Sequence, residues 1–159
     1  MTKNRQTKET PVAALAGNPN VGKSTIFNAL TGMRQHTGNW PGKTVSLAQG
    51  VCVYKGEEIR LVDLPGTYAL VSKSQEEILA AGFISGGEAD CVIAVCDATS
   101  LERSLILALQ VMELTDRVIV CVNLMDEARK QGIEIDLAAL SFELGVPVVA
   151  ASASREEGM

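Results

Sequence analysis

The chain has 159 residues, of which 47% are hydrophobic and 21% are charged, a composition typical of one folded domain and not of a disordered segment. Its formal net charge of −5 argues against a surface that neutralises nucleic-acid phosphates with clustered lysine and arginine. No apolar run reaches the ~20 residues needed to cross a bilayer. Residues 1–10 are polar and lack the apolar stretch of a secretory signal, so we expect a flexible tail followed by a soluble domain over residues 11–159.

Apolar runs of strand length recur along the chain, at residues 12–16, 59–63, 91–96, 118–122 and 146–150. Several lack polar alternation, as expected for strands of a parallel sheet that is covered on both faces. Helical patterns lie between them. Apolar residues recur at helical spacing from Leu101 to Met112, and Asp136 and Gly145 bracket a helix as its N-cap and its C-terminal stop.

Residues 45–54 alternate apolar and polar side chains, and Lys55-Gly56 then turns the chain into the next strand. This pattern predicts a hairpin and therefore one antiparallel edge strand on a mostly parallel sheet of six strands. The predicted fold class is α/β with three layers. The four cysteines, at positions 52, 91, 96 and 121, lie in strand-like runs without C-x-x-C pairing. Buried thiols in a reducing cytosol are the favoured interpretation, with a disulfide framework as the alternative.

The stretch GNPNVGKST, residues 17–25, separates a predicted strand from a predicted helix. It satisfies G-x-x-x-x-G-K-[ST] in the context that a phosphate-binding loop (P-loop) requires. Glycines let backbone N–H groups point at phosphate oxygens, while Lys23 neutralises the β- and γ-phosphates and Ser24 offers a hydroxyl to Mg²⁺. The predicted nucleotide-binding residues of this loop are Gly17, Asn18, Pro19, Asn20, Val21, Gly22, Lys23, Ser24 and Thr25.

The stretch DLPG, residues 63–66, ends a predicted strand. There Asp63 can hold Mg²⁺ through water, and the Gly66 N–H can meet a γ-phosphate. D-x-x-G alone is a weak pattern, and a simple strand-ending turn is the alternative. The P-loop upstream favours the functional interpretation.

The stretch NLMD, residues 123–126, matches N-x-x-D, in which an aspartate accepts two hydrogen bonds from the N1 and N2 edge of guanine. Adenine lacks that pair of donors, so Asp126 favours guanine. A helix N-cap formed by Asp126 is the alternative, as is an ATP-using P-loop enzyme in which Asp126 has no role in base selection. The stretch ASAS after the last strand is similar to an S-A-x loop that contacts the guanine oxygen, or is simply a small-residue loop; its candidate residues are Ser152, Ala153 and Ser154.

These motifs in this order resemble the translation-factor-like class of small GTPases, with the P-loop NTPase fold of a Ras-like G domain. The stretches GNPNVGKST, TGNWPGKTV (37–45), DLPGTYAL (63–70) and NLMD together resemble the N-terminal cytosolic G domain of the bacterial ferrous iron transport protein B family. The resemblance implies a domain that binds and hydrolyses GTP with Mg²⁺. In the family, a helical regulatory subdomain and a polytopic membrane domain follow this domain.

The resemblance also implies roles for single residues. Thr44 is the switch I threonine that reaches Mg²⁺, and residues 33–44 are the switch I loop. Asn20 is the residue that coordinates K⁺ in potassium-stimulated GTPases, together with backbone carbonyls of residues 38–40, here Gly38 to Trp40, and the cation replaces an arginine finger. Thr67 stands where Ras-like enzymes carry a water-positioning glutamine, so we expect slow intrinsic turnover. The expected catalytic set is Asn20, Lys23, Ser24, Thr44, Asp63 and Gly66.

The function implied is a GTPase switch that regulates Fe²⁺ uptake from the cytoplasmic face of the bacterial inner membrane. Its expected partners are guanine nucleotide and the membrane permease domain of the same full-length protein, with no nucleic acid. Self-association is expected if apolar sheet surface stays open. Two alternatives remain: a guanine-nucleotide-sensing module with little turnover, and a ribosome-assembly GTPase, which the acidic charge balance disfavours.

Overall fold

The computed structural model describes residues 9–32, 35–39, 46–71 and 73–159. Within these ranges, helices pack on both faces of one sheet. Its strands are β1 (Val12–Gly17), β2 (Gln35–Asn39), β3 (Ser46–Tyr54), β4 (Glu57–Asp63), β5 (Cys91–Asp97), β6 (Val118–Asn123) and β7 (Val148–Ala150). The α-helices are α1 (Lys23–Thr31), α2 (Gln75–Ser85), α3 (Leu101–Leu114), α4 (Met125–Lys130) and α5 (Leu137–Leu144). Short 3-10 helices follow β5 at Ala98–Ser100 and β7 at Ala153–Arg155.

The strand order of the sheet is β2-β3-β4-β1-β5-β6-β7. Strands β4, β1, β5, β6 and β7 are parallel, whereas β3 is antiparallel to both β2 and β4. The predicted three-layer α/β fold with a mostly parallel sheet is confirmed. None of the helices in the described ranges combines the length and apolar character that a membrane crossing requires.

The sheet has seven strands in the described residues, one more than predicted. The extra strand is β2, which lies inside the range 33–44 that was expected to be a loop. It pairs with β3 from Gln35↔Gly50 to Asn39↔Ser46, so the predicted edge strand β3 lies one position inside the edge. The sequence QHTGN carries no apolar alternation. Its pairing is provided by the neighbouring strand and not by its own pattern.

The two faces of the sheet carry two hydrophobic cores. Strand β1 is buried at every position, and its residues alternate between the faces. Ala14 packs with Val111 of α3 on one face, and Leu15 packs with Phe27 of α1 on the other. Because a central parallel strand is covered on both sides, it lacks the polar alternation of a half-exposed strand.

The face of the sheet that packs against α1 is covered less completely than the other face. Val149 in β7 is 43% exposed, and Ile93 and Ile119 on the same face are half-buried. Open apolar surface of this kind favours contact with other molecules. Self-association of the chain stays a prediction.

The four cysteines are free thiols, of which Cys96 and Cys121 are buried and Cys52 and Cys91 are half-buried. The prediction of plain buried thiols is therefore right for two of them. Burial raises the pKa of Cys96 to about 12 and the pKa of Cys121 to about 11. Burial and the neighbouring charge of Asp90 also raise the pKa of Cys91. These three thiols stay protonated at neutral pH and are poor nucleophiles and poor metal ligands.

Helix α5 begins and ends where the sequence predicts. The Asp136 side chain accepts a hydrogen bond of 2.9 Å from the Ala139 N–H, and Gly145 ends the helix in the left-handed conformation. We expect Asp136→Ala to lower the free energy of unfolding by about 0.5–2 kcal/mol, because the first-turn amide loses its acceptor. Urea unfolding measures this. Asp136→Asn keeps an acceptor oxygen and should stay close to the wild type; an equal loss in both variants would contradict the capping role.

Candidate functional site

The loops that carry the sequence motifs follow the carboxyl ends of parallel strands. Strand β1 leads into residues 18–22, β4 into residues 64–67, β6 into the residue before α4, and β7 into residues 151–158. The carboxyl ends of parallel strands lie at one edge of a sheet, which is where open α/β sheets bind ligands. The topology therefore gathers motifs that are far apart in the sequence.

A cavity of about 560 Å³ lies at this edge. Its lining consists of Asn18, Pro19, Asn20, Gly22, Lys23, Ser24, Thr25 and Gly66. It thus combines the predicted phosphate loop with the glycine of D-x-x-G. Another cavity, of about 530 Å³, is lined by residues that precede β5 and β6, such as Ala89 and Arg117. That cavity lies at the amino-terminal ends of these strands and contains none of the predicted site residues.

Helix α1 starts directly after the phosphate loop, with Gly22 as its N-cap at φ 83°. A side chain at Gly22 would be strained by this left-handed backbone and would collide with the side-chain amide of Asn123. No side chain caps the start of α1, and its first turn contains no acidic residue. The amide groups of the first turn are therefore available to an anion, which the helix dipole also favours.

Lys23 and Asp63 form an ion pair in which Lys23 Nζ donates a hydrogen bond to Asp63 Oδ1. Their side chains are only 9% and 14% exposed. Lys23, which is predicted to bind phosphate, and Asp63, which is predicted to hold Mg²⁺, are thus paired with each other. They are 40 positions apart in the sequence. A phosphate that binds Lys23 must compete with Asp63 for it.

Residues 64–67 cross the phosphate loop at close range. Leu64 N–H donates to the carbonyl of Leu15 at 3.0 Å, and Thr67 N–H donates to the carbonyl of Gly17 at 3.3 Å. A Cβ at Gly66 would lie 3.4 Å from Pro19 Cα, so this position lies against the loop. Thr67 is 7% exposed. The D-x-x-G stretch thus packs on the predicted phosphate loop, and its role there stays a prediction.

Asn123, the last residue of β6, connects two loops. Its side-chain amide donates to the carbonyl of Val21 at 3.0 Å, and its Oδ1 accepts from the Ala153 N–H at 3.1 Å. The residue is 1% exposed. Buried side-chain hydrogen bonds of this kind fix the relative positions of the groups they join. The phosphate loop and the loop after β7 are therefore held by one side chain.

Asp126 is buried beside the loop that follows β7. Its backbone N–H donates to Ser152 Oγ at 3.2 Å, and its Oδ2 lies 3.3 Å from Arg155 Nε. Its other oxygen, Oδ1, is buried without a hydrogen-bond partner. The N-cap of α4 is Leu124 in the left-handed conformation, so the alternative that Asp126 caps this helix is wrong. A buried carboxylate with a free acceptor suits a ligand that offers N–H donors.

The loop after β7 places the remaining predicted base-contacting residues. Ser152 and Ala153 are buried at 2% and 4% exposure, whereas Ser154 is exposed. The sequence prediction did not include Arg155 among the site residues. The sequence signal that could have identified Arg155 is its position directly after the S-A-S stretch. A cation at that position lies close to any ligand that this loop contacts.

The predicted switch I residues are placed only in part. Thr44 and Trp40 lie outside the described residues, so their roles stay predictions. Gly38 lies in β2 opposite Leu47 and does not line the cavity. The described ranges contain no group of three or more His, Cys, Asp or Glu side chains that could hold a metal ion. Mg²⁺ at a phosphate loop needs no such group, since it is held by hydroxyl, carboxylate and phosphate oxygens.

Comparison with known proteins identifies the family. The sequence model of the family described as "Ferrous iron transport protein B" matches residues 11–159. This chain belongs to that family. The Fe(2+) transporter FeoB of Salmonella typhimurium is 47% identical over 149 residues, which cover 91% of this chain and 19% of that protein. FeoB of Escherichia coli K12 is 46% identical over the same shares. The chain therefore spans about a fifth of the length of these FeoB relatives.

Solved FeoB structures share the fold. The G domain of the T. maritima FeoB iron transporter superposes with a TM-score of 0.86 at 46% identity, covering 94% of this chain and 91% of that one. The T. maritima FeoB cytosolic domain in its GMPPNP form gives 0.89 at 47% identity, covering 94% and 59%. The FeoB G-domain from Methanococcus jannaschii gives 0.81 at 46% identity, covering 94% and 90%. The predicted family is thus confirmed by sequence and by fold.

Proposed function

We propose that this chain is a guanine-nucleotide switch domain that hydrolyses GTP and thereby regulates Fe²⁺ uptake by a FeoB-type transporter. The observation that carries the proposal is the Asn123 side chain, which joins the phosphate loop at Val21 to the loop beside Asp126. One buried residue thus connects a site for phosphates with a carboxylate suited to guanine. T. maritima FeoB cytosolic domains solved in GDP and GMPPNP forms support this assignment.

Guanine binds through the carboxylate of Asp126, which accepts hydrogen bonds from N1–H and the N2 amino group. The hydrogen bond from the Asp126 backbone N–H to Ser152 Oγ fixes the backbone that carries this carboxylate. The backbone of Ser152, Ala153 and Ser154 meets the guanine oxygen. Adenine offers no matching pair of donors, and each charge-assisted hydrogen bond is worth about 1.5–3 kcal/mol. Base selection therefore resides in the buried carboxylate of Asp126.

The phosphates bind at the start of α1, where the first-turn amides and Lys23 meet their charge. Ser24, Asp63 and Thr44 would hold Mg²⁺, and their hydroxyl and carboxylate oxygens fit this hard cation. When bound, the metal neutralises charge on the β- and γ-phosphates. Lys23 exchanges Asp63 for phosphate, and Asp63 would then be free to hold Mg²⁺. The Gly66 N–H contacts the γ-phosphate. This contact orders the loop that contains Gly66 in the GTP state, and the ordered loop is the switch signal.

Hydrolysis is slow without a further cation. Thr67 is buried and donates its backbone N–H to Gly17, so it does not replace a water-positioning glutamine. Asn20 lines the cavity, is exposed and has a left-handed backbone with φ 67°. Its side-chain oxygen would hold K⁺ together with backbone carbonyls of residues 38–40, where the cation stabilises transition-state charge.

The remaining roles belong to a longer protein. The FeoB relatives are about five times as long as the matched segment. We infer that residues 11–159 form the G domain after a flexible tail of residues 1–10, and that a helical regulatory subdomain and a membrane permease domain follow it. The site then lies at the cytoplasmic face of the inner membrane. Nucleotide-dependent order in the loops near Asp63 is the signal that such a permease domain reads.

GTP hydrolysis in KCl and in NaCl at equal ionic strength tests the enzymatic role. We expect K⁺ to raise the rate by more than about tenfold, because a cation at Asn20 takes the role of an arginine finger. Asn20→Ala should abolish this stimulation. Asn28→Ala is a matched control, because Asn28 lies in α1 and does not line the cavity. Equal, slow rates in both salts with tight GDP binding would favour a nucleotide-sensing module with little turnover.

A further inference from the structure

Arg155 lies in the 3-10 helix after β7, and its guanidinium lies beside the carboxylate that selects the base. We propose that Arg155 sets the nucleotide affinity and the base selectivity of this site, by holding a carboxylate oxygen of Asp126 that the guanine edge also needs. This inference rests on the proposed function, since it concerns the same proposed guanine site.

The two oxygens of the Asp126 carboxylate have different surroundings. Oδ2 lies 3.3 Å from Arg155 Nε, while Oδ1 is buried and has no hydrogen-bond partner. The Asp126 side chain is 6% exposed and the Arg155 side chain 53%. The carboxylate is therefore fixed in the protein, whereas the guanidinium can move into water. The Arg155 backbone N–H donates to the Ser152 carbonyl at 2.9 Å, so the side chain can leave while the loop stays in place.

The number of donors on the base decides whether the base competes with Arg155 for Asp126 Oδ2. Guanine presents N1–H and the N2 amino group, and a carboxylate accepts both by using one oxygen for each. Hypoxanthine, the base of inosine nucleotides, presents N1–H alone. It can bond to the free Oδ1 while Arg155 keeps Oδ2. Guanine needs both oxygens, so its N2 amino group competes with the guanidinium for Oδ2.

Arg155 consequently opposes guanine more than it opposes hypoxanthine. The effect is modest, because ion pairs with one exposed partner are weak and are screened by water and salt. Removing the guanidinium should therefore tighten guanine binding and leave hypoxanthine binding almost unchanged. Loosening of the loop would instead shift both bases in the same direction.

Calorimetric titration of this chain with GDP and with IDP, in the presence of Mg²⁺, separates these cases. For Arg155→Gln we expect the dissociation constant of GDP to fall by about three- to fivefold and that of IDP to change by less than about twofold. Arg129→Gln is the matched control. Arg129 pairs with Glu157 of the same loop at 3.7 Å and is 64% exposed, so its removal loses an ion pair to this loop without touching Asp126. Both of its dissociation constants should equal those of the wild type.

Three results would overturn the inference: unchanged or weaker GDP binding by Arg155→Gln, equal shifts for GDP and IDP, or the same shifts in Arg129→Gln. If the wild-type chain binds GDP and Arg155→Gln binds it with the same dissociation constant, only the role of Arg155 is refuted. A wild-type chain that binds no GDP refutes the proposed function and this inference together. Thermal melting of all three proteins confirms that the compared chains are folded.

Discussion

Replacing Asp126 with asparagine is expected to weaken GDP and GTP binding by about 100-fold or more and to create a preference for xanthosine nucleotides. The buried carboxylate accepts two donors from guanine, and an asparagine side chain offers only one acceptor oxygen. Xanthine carries a carbonyl in place of the amino group, so the new NH₂ group can donate to it while the oxygen still accepts from N1–H. Titration with GDP and XDP measures both changes.

Asp136→Asn is the matched control for this substitution, because Asp136 caps α5 and does not contact the cavity. It should leave the affinities for GDP and XDP as they are in the wild type. If Asp126→Asn bound GDP as the wild type does, guanine selection by Asp126 would be excluded. An ATP-using enzyme would then be the better interpretation of the phosphate loop.

Replacing Lys23 with alanine is expected to weaken GTP binding by at least about ten- to 100-fold and to reduce hydrolysis below detection. Lys23 is the sole cation among the described residues that line the cavity. Its loss also leaves Asp63, which is 14% exposed, without its ion-pair partner. We therefore expect a lower free energy of unfolding, by about 1–3 kcal/mol, because a poorly solvated charge stays uncompensated. Titration with GTP and urea unfolding measure the two effects.

The double variant Lys23→Ala/Asp63→Ala separates stability from binding. Removing both charges should recover part of the lost stability, since no unpaired carboxylate remains, while GTP binding stays weak. Arg117→Ala is the control for charge alone, because Arg117 is exposed at the amino-terminal end of β6, away from the predicted site. Full recovery of GTP binding in the double variant would show that Lys23 acts only by compensating Asp63.

The sequence predicts the central strands and the capped helix because their signals are local. Apolar runs without alternation correspond to strands such as β1 and β6, which are covered on both faces. Asp136 and Gly145 mark the ends of α5 through their own backbone chemistry. Strand β2 carries no such signal, since QHTGN becomes a strand only through its pairing with β3. Pairing between segments depends on the fold, and a local pattern does not contain it.

The site follows the same division between local and distant information. The motifs around Lys23, Asp63, Asn123 and Asp126 predict their roles because each has a fixed spacing, and the parallel topology brings their loops to one edge. The partners of these side chains could not be predicted. The pairing of Lys23 with Asp63 and that of Asp126 with Arg155 depend on where separate loops place their ends.

The Asn123 side chain bonds to residues 102 and 30 positions away in the sequence. Local opening of the loop after β7 must break its bond to Ala153, and opening of the phosphate loop must break its bond to Val21. Both events expose the same buried amide, so each makes the other easier. The two ends of the site should therefore loosen as one cooperative unit, and a bound nucleotide would be released whole and not first at its base and later at its phosphates.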